Sequence, residues 1–246
     1  MTTPVGLDRG MQPPARLRSK RPADTHGESR WPAALATVAA IALYAGLPND
    51  LLIGPRYVIP ALELVILALV IAENPVRMSK QSHRSRIAAI GLTFLIMATS
   101  LVSLVLLLHR LVGTGTSQAG PLLLAALQVW LTNVIVFGLA YWELDRGGPV
   151  VRRHVTRQQL PLADFRFPQD EDRDTIDEVA KGSSVKSGWL PRYVDYAYVS
   201  LTNSSAFSPT DTMPLTSRAK LLMGAQSTMA LITSVVVIAK GVGSLK

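Results

Sequence analysis

The chain contains no cysteine. Disulfides, thiolate metal sites and cysteine nucleophiles are therefore excluded, although this does not identify a compartment. Charge is also sparse. Asp, Glu, Lys and Arg make up 17% of the residues, against about 25% in an ordinary soluble domain. The four histidines (His26, His83, His109 and His154) are scattered over loops and helix ends. Their spacing suits neither zinc nor a catalytic triad. There is no G-x-S-x-G, Walker or H-E-x-x-H pattern, so the sequence predicts no enzyme, no metal and no cofactor. Aromatics are 6% of the chain and do not interleave with a basic surface. The net charge of +8 therefore does not read as a nucleic-acid interface. The basic residues instead flank apolar segments, where Lys and Arg mark the cytoplasmic side of a membrane.

Long apolar runs dominate the sequence. Ile87–Leu108 and Pro121–Trp142 are each 22 residues and Ala219–Ala239 is 21. About 20 apolar residues are needed to cross a hydrocarbon core of roughly 30 Å. Backbone groups in lipid must be bonded internally, so these runs are helices. Trp31–Leu47 and Tyr57–Ala72 are 17 and 16 residues, at the short end of spanning length, and read as a helical hairpin. The predicted fold is an all-α membrane protein with five transmembrane helices. A short re-entrant, or sixth, helix at Tyr193–Phe207 precedes the last of them.

Four regions follow from this pattern. Residues 1–30 are polar, proline-containing and basic, and read as a disordered cytoplasmic tail; Arg16–Arg21 would suit anionic lipid. Residues 31–142 form a four-helix membrane bundle. Residues 143–192 are a polar insert, basic in its first half and acidic in its second, predicted to be cytoplasmic and irregular with one short helix near Asp174–Lys181. Residues 193–246 hold the re-entrant element and the last helix. Arg77, Lys80, Arg84 and Arg86 place the loop Glu73–Arg86 inside, and the near absence of charge places His109–Gly120 outside. The expected location is the cell (inner) membrane, multi-pass, with the N-terminus cytoplasmic. The expected partner is the lipid bilayer, with no nucleic acid.

Tyr198–Leu221 reads Y-V-S-L-T-N-S-S-A-F-S-P-T-D-T-M-P-L-T-S-R-A-K-L. It resembles the pore module of the potassium-channel superfamily, in which a short pore helix leads into T-x-G-Y-G-D and then x-x-P-V-T before the inner helix. Asp211, Pro214, Leu215, Thr216, Ala219, Lys220 and Leu221 fall at matching spacing, and Tyr198 and Ser200 match pore-helix positions. The likeness covers Asp195–Ala239. The filter glycines, however, are Ser208 and Thr210, and the filter aromatic is Pro209. A carbonyl-lined filter uses backbone torsions that glycine adopts freely and proline, with φ fixed near −65°, does not. The module is thus degenerate and not potassium-selective. The whole chain resembles a group of uncharacterised bacterial integral membrane proteins, through Asp195, Tyr196, Tyr198, Ser200, Thr202, Asp211 and Thr212. That resemblance implies membrane location and no known chemistry. The pore-module likeness implies a homo-oligomer, a tetramer if pore-like.

The candidate site is a polar re-entrant turn made of Thr202, Asn203, Ser204, Ser205, Thr210 and Asp211, with Glu63 as an ionisable partner. Ionisable groups within a membrane segment are costly and often functional. Gln128, Thr132 and Asn133 on the fourth helix, and Gln226 and Thr233 on the last, are expected to bond between helices. Two functional readings follow: an ion-channel-like or transporter-like protein with an altered filter, or a structural or assembly protein whose re-entrant turn caps the bundle.

Overall fold

The computed structural model describes residues 27–73, 78, 82–113, 119–171, 174–205 and 211–243. The chain is mostly helical. In order it forms α1 (Trp31–Ala45), α2 (Val58–Glu73), α3 (His83–Gly113), α4 (Ala119–Leu144), the short α5 (Val151–His154) and α6 (Asp177–Ala180), α7 (Tyr193–Ser204) and α8 (Ser217–Gly243), with two-residue strands β1 (Phe165–Arg166) and β2 (Met213–Pro214).

Among the described residues, three helical stretches are long and apolar enough to cross a bilayer: His83–Leu111, Gly120–Gly147 and Ser217–Ala239. The sequence predicted five. At 15 and 16 residues, α1 and α2 rise only about 22–24 Å at 1.5 Å per residue, short of the hydrocarbon thickness. Pro32 opens α1, where its missing N–H costs nothing. Downstream, Gly46 N–H closes the last turn on Ala42 O at 3.0 Å just before Pro48.

The centre of the bundle is α4, which packs on α1, α3, α7 and α8, while α2 packs on α1 and α3. Each helix turns one stripe inward. On α2 the buried residues are Pro60, Glu63, Leu67 and Val70, and Leu62, Val65 and Leu69 face outward, as lipid exposure allows. α7 packs closely on α4. A Cβ built on Gly138 would lie 3.2 Å from Ala197 Cα, so any larger residue would press the two backbones apart.

The path of α7 is settled by its two ends. Tyr193, at its start, packs edge-on against Trp142 near the C-terminal end of α4. Ser204, at its end, faces Asn133 in mid-α4. The next helix, α8, begins back at the C-terminal end of α4, where Arg218 donates to Leu144 O at 3.2 Å. So α7 and α8 both run antiparallel to α4, and the chain returns between them to the end from which α7 entered. Part of the return is held by antiparallel pairing of β1 and β2, with Phe165 opposite Pro214 and Arg166 opposite Met213.

The 143–192 region is irregular, with a short helix at Asp177–Ala180 inside the expected Asp174–Lys181 stretch. It docks onto the ends of the long helices. Phe165 stacks on Tyr141 at 5.0 Å, and Phe167 stands edge-on to Tyr196 and Trp189 at 5.4 Å each.

Candidate functional site

The predicted turn residues separate into three environments. Asn203 and Ser204 are buried in a seam between α7, α8 and α4. Thr202 and Ser205 face their own helix: Thr202 Oγ1 donates to Tyr198 O at 2.9 Å and Ser205 Oγ to Leu201 O at 2.7 Å. Asp211 is exposed in a turn just before β2. Thr210 lies outside the described residues. Glu63 is on α2, which packs on α1 and α3, and so does not join the α7 group.

Gln226, fully buried on α8, organises the seam. Its Oε1 accepts from Tyr141 Oη at 2.6 Å and Asn203 Nδ2 at 2.8 Å. Its Nε2 donates to Ser200 Oγ at 2.5 Å and Ser204 Oγ at 2.8 Å. Ser200 Oγ donates to Val134 O at 2.6 Å, Ser204 Oγ donates to Asn133 Oδ1 at 3.4 Å, and Ser227 Oγ donates to Asn203 Oδ1 at 2.9 Å. The donors and acceptors alternate consistently through the network. Chemically it is a closed joint: its hydroxyls and amides are committed to one another, not to a passing solute. Asn133 and Gln226 were legible as interhelical bonders, whereas the role of Tyr141 and Ser200 was not.

A second cluster, which the sequence did not reveal, ties the insert and residue 28 to the C-terminal end of α4. The Arg152 side chain is fully buried. It donates to Trp142 O at 2.8 Å and faces Glu28 Oε2 at 3.5 Å, with its guanidinium 5.2 Å from the Tyr196 ring centre. Glu28 also accepts from Tyr193 N at 2.9 Å and Trp142 Nε1 at 3.1 Å. Asp145, equally buried, accepts from Tyr196 Oη at 2.5 Å and from Asp164 N at 2.7 Å. Arg146 bridges to Asp170 at 2.6 Å. Asp164 receives the Thr216 hydroxyl and the Arg218 guanidinium at the start of α8. Buried charge of this kind persists only when paired and hydrogen-bonded. The tail expected over residues 1–30 is thus anchored at Glu28 and Arg30, and residues 1–26 lie outside the described set.

The third environment surrounds Glu63. Its residue is 1% exposed, and neither carboxyl oxygen has a hydrogen-bond partner among the described residues. The Thr99 hydroxyl lies beside it but donates to Ile96 O at 3.0 Å. Thr99 is near the midpoint of His83–Leu111, so the carboxyl lies beside the middle of a membrane-length helix. Ser100, the next residue, is also buried with its hydroxyl unpartnered.

Between this carboxyl and the Arg30 end of the bundle runs a cleft of about 40 Å³, lined by Arg30, Thr37, Leu67, Leu92, Thr93 and Glu143 among others. Arg30 donates to Val70 O. Burial pushes its guanidinium pKa down, and Glu143 opposes that shift. Among the described residues no group of three or more His, Cys, Asp or Glu is placed to hold a metal ion.

Comparison with known proteins gives no match to any family model, curated protein or solved structure.

Proposed function

We propose that this membrane protein is transporter-like, handling protons through Glu63, and that the α7–α8 seam is a structural joint instead of an ion path. One observation carries the reading: a fully buried carboxyl with no partner among the described residues, beside the middle of a membrane-length helix. An ionised side chain at such depth costs at least about 3 kcal/mol. Glu63 therefore rests as the neutral acid, and any step that ionises it must bring water or a countercharge to it. Such a group binds and releases a proton only when its surroundings change, which is the property a proton-coupled device requires.

A structural reading of the α7–α8 module is favoured by the saturated Gln226 network. Conduction along the α7–α8 seam would need hydroxyls and amides free to replace an ion's hydration shell, and those of Ser200, Asn203, Ser204 and Gln226 are bonded to one another.

The test is chemical modification followed by flux. A hydrophobic carbodiimide attacks protonated carboxyls in apolar surroundings. Incubated with the protein in lipid, it is expected to label Glu63 selectively, and Glu63→Gln abolishes that label. Proteoliposomes carrying the native chain are expected to move protons under an imposed gradient, and those carrying Glu63→Gln are not. A Glu63 that stays unmodified, or equal proton movement in the two proteins, overturns the assignment. Loss of activity in Asp211→Ala with Glu63 intact would return the function to the pore-like turn.

A further inference from the structure

The buried carboxyl and the cleft lie on one line. Along α2 the inward stripe is Glu63, Leu67, Val70, and Leu67 and Val70 line the cleft. Along α3 the cleft is lined by Ala89, Leu92 and Thr93, then comes Ile96, 1% exposed, and then Thr99 beside Glu63. Leu67 and Ile96 belong to one packed apolar cluster. What separates the floor of the cleft from Glu63 is therefore about one helical turn, roughly 6 Å, filled by these two side chains.

The other end of the cleft is polar. Glu143 is buried with Oε2 unpartnered among the described residues. Arg30, Arg86 and Arg152 act on it electrostatically. At about 40 Å³ the space takes two or three waters, each needing on the order of 10–15 Å³. It is too small for a metabolite. No charged side chain of α1, α2 or α3 among the described residues acts on Glu63; Thr99 is the polar group that does.

We infer that Glu63 exchanges its proton with the Arg30–Glu143 end of the bundle through this cleft, across a dry plug made by Leu67 and Ile96. Water in the cleft carries the proton as far as Leu67. The exchange completes when the plug opens: the carboxyl O–H bond breaks and the proton passes to the incoming water, or the reverse. The inference rests on the assignment of Glu63 as the working group, and it fixes the side from which that group is served.

The absence of cysteine gives a clean test. Single cysteines replace Thr93 in the cleft and Thr99 beyond the plug. Each protein, in vesicles of known orientation, meets a small membrane-impermeant thiol reagent from one side at a time. Thr93→Cys is expected to react at least tenfold faster from the Arg30–Glu143 side than from the other. Thr99→Cys is expected to react at least tenfold more slowly than Thr93→Cys. Adding Leu67→Ala to Thr99→Cys is expected to speed it at least fivefold; Leu67→Val serves if the alanine variant does not fold. Equal reactivity at 93 and 99, faster reaction from the opposite side, or no effect of shortening Leu67 overturns the route. Carbodiimide labelling of Glu63 in the cysteine-free chain reads the working group independently. A labelled Glu63 with an unreactive Thr93→Cys sinks the path alone, whereas an unlabelled Glu63 sinks both.

Discussion

Replacing Gln226 with leucine tests whether the α7–α8 seam holds the last helix to the bundle. The two side chains are of similar size, so the change removes hydrogen bonds and leaves little cavity. Four side-chain partners lose Gln226: Tyr141 Oη and Asn203 Nδ2 lose an acceptor, and Ser200 Oγ and Ser204 Oγ lose a donor. Asn203 keeps Met223 O at 3.0 Å, and Ser200 keeps Val134 O, so the sharpest loss falls on Tyr141. Interhelical hydrogen bonds in membrane proteins average about 0.6 kcal/mol and reach about 1.7, and a stranded buried donor adds about 1–3 kcal/mol. Four bonds at that average plus one stranded donor sum to a destabilisation of about 3–5 kcal/mol. Equilibrium unfolding in mixed micelles measures it directly. Tyr141→Phe alone is expected to cost about 1 kcal/mol, and the double variant less than the sum of the two, because both remove the same bond. A Gln226→Leu protein within about 0.5 kcal/mol of the native one, or strictly additive effects, would refute the seam.

Three further outcomes follow from packing and charge. Gly138→Leu is expected to force α4 and α7 apart, costing about 3 kcal/mol by overpacking and exposing the α7 return to protease; Gly138→Ala, meeting Ala197 Cα at 3.2 Å, costs less, and protease digestion with thermal unfolding ranks the two. Arg152→Met is expected to strand the Glu28 carboxylate and cost about 3–5 kcal/mol, with Glu28→Gln in the same chain restoring part of it, read by the unfolding midpoint. Asp164→Ala removes the acceptor for Thr216 and Arg218. It is expected to cost about 1–2 kcal/mol and to raise hydrogen exchange at the start of α8 while leaving mid-α8 unchanged.

The long helices were legible because 20 or more apolar residues in a row admit no other structure. Asn133 and Gln226 were legible because an amide inside such a run must find a partner on another helix. Whether the Tyr193–Phe207 segment spans or returns was not legible, since 15 residues are compatible with either and only contacts at the two ends of α7 decide its path. The charged cluster escaped for a different reason. Glu28 and Arg152 are 124 positions apart, and arginines just beyond an apolar run look the same whether they mark topology or plug a core. The β1–β2 pairing, two residues per strand, leaves no periodic trace. Glu63 stood out as a residue type, but its burial depends on Thr99 and Ile96, which carry no signal of their own.

Because Gln226 satisfies four partners and is satisfied by them, α8 has nowhere comfortable to be until those partners exist. Lodged alone in hydrocarbon it would carry a bare amide; set against α4 without α7 it would still lack Ser200, Ser204 and Asn203. The order of synthesis resolves this, since α4 and α7 emerge before α8. A circularly rearranged chain that makes α8 first would present the translocation machinery with a helix whose glutamine has no companion, and misplacement of that helix is the expected fate.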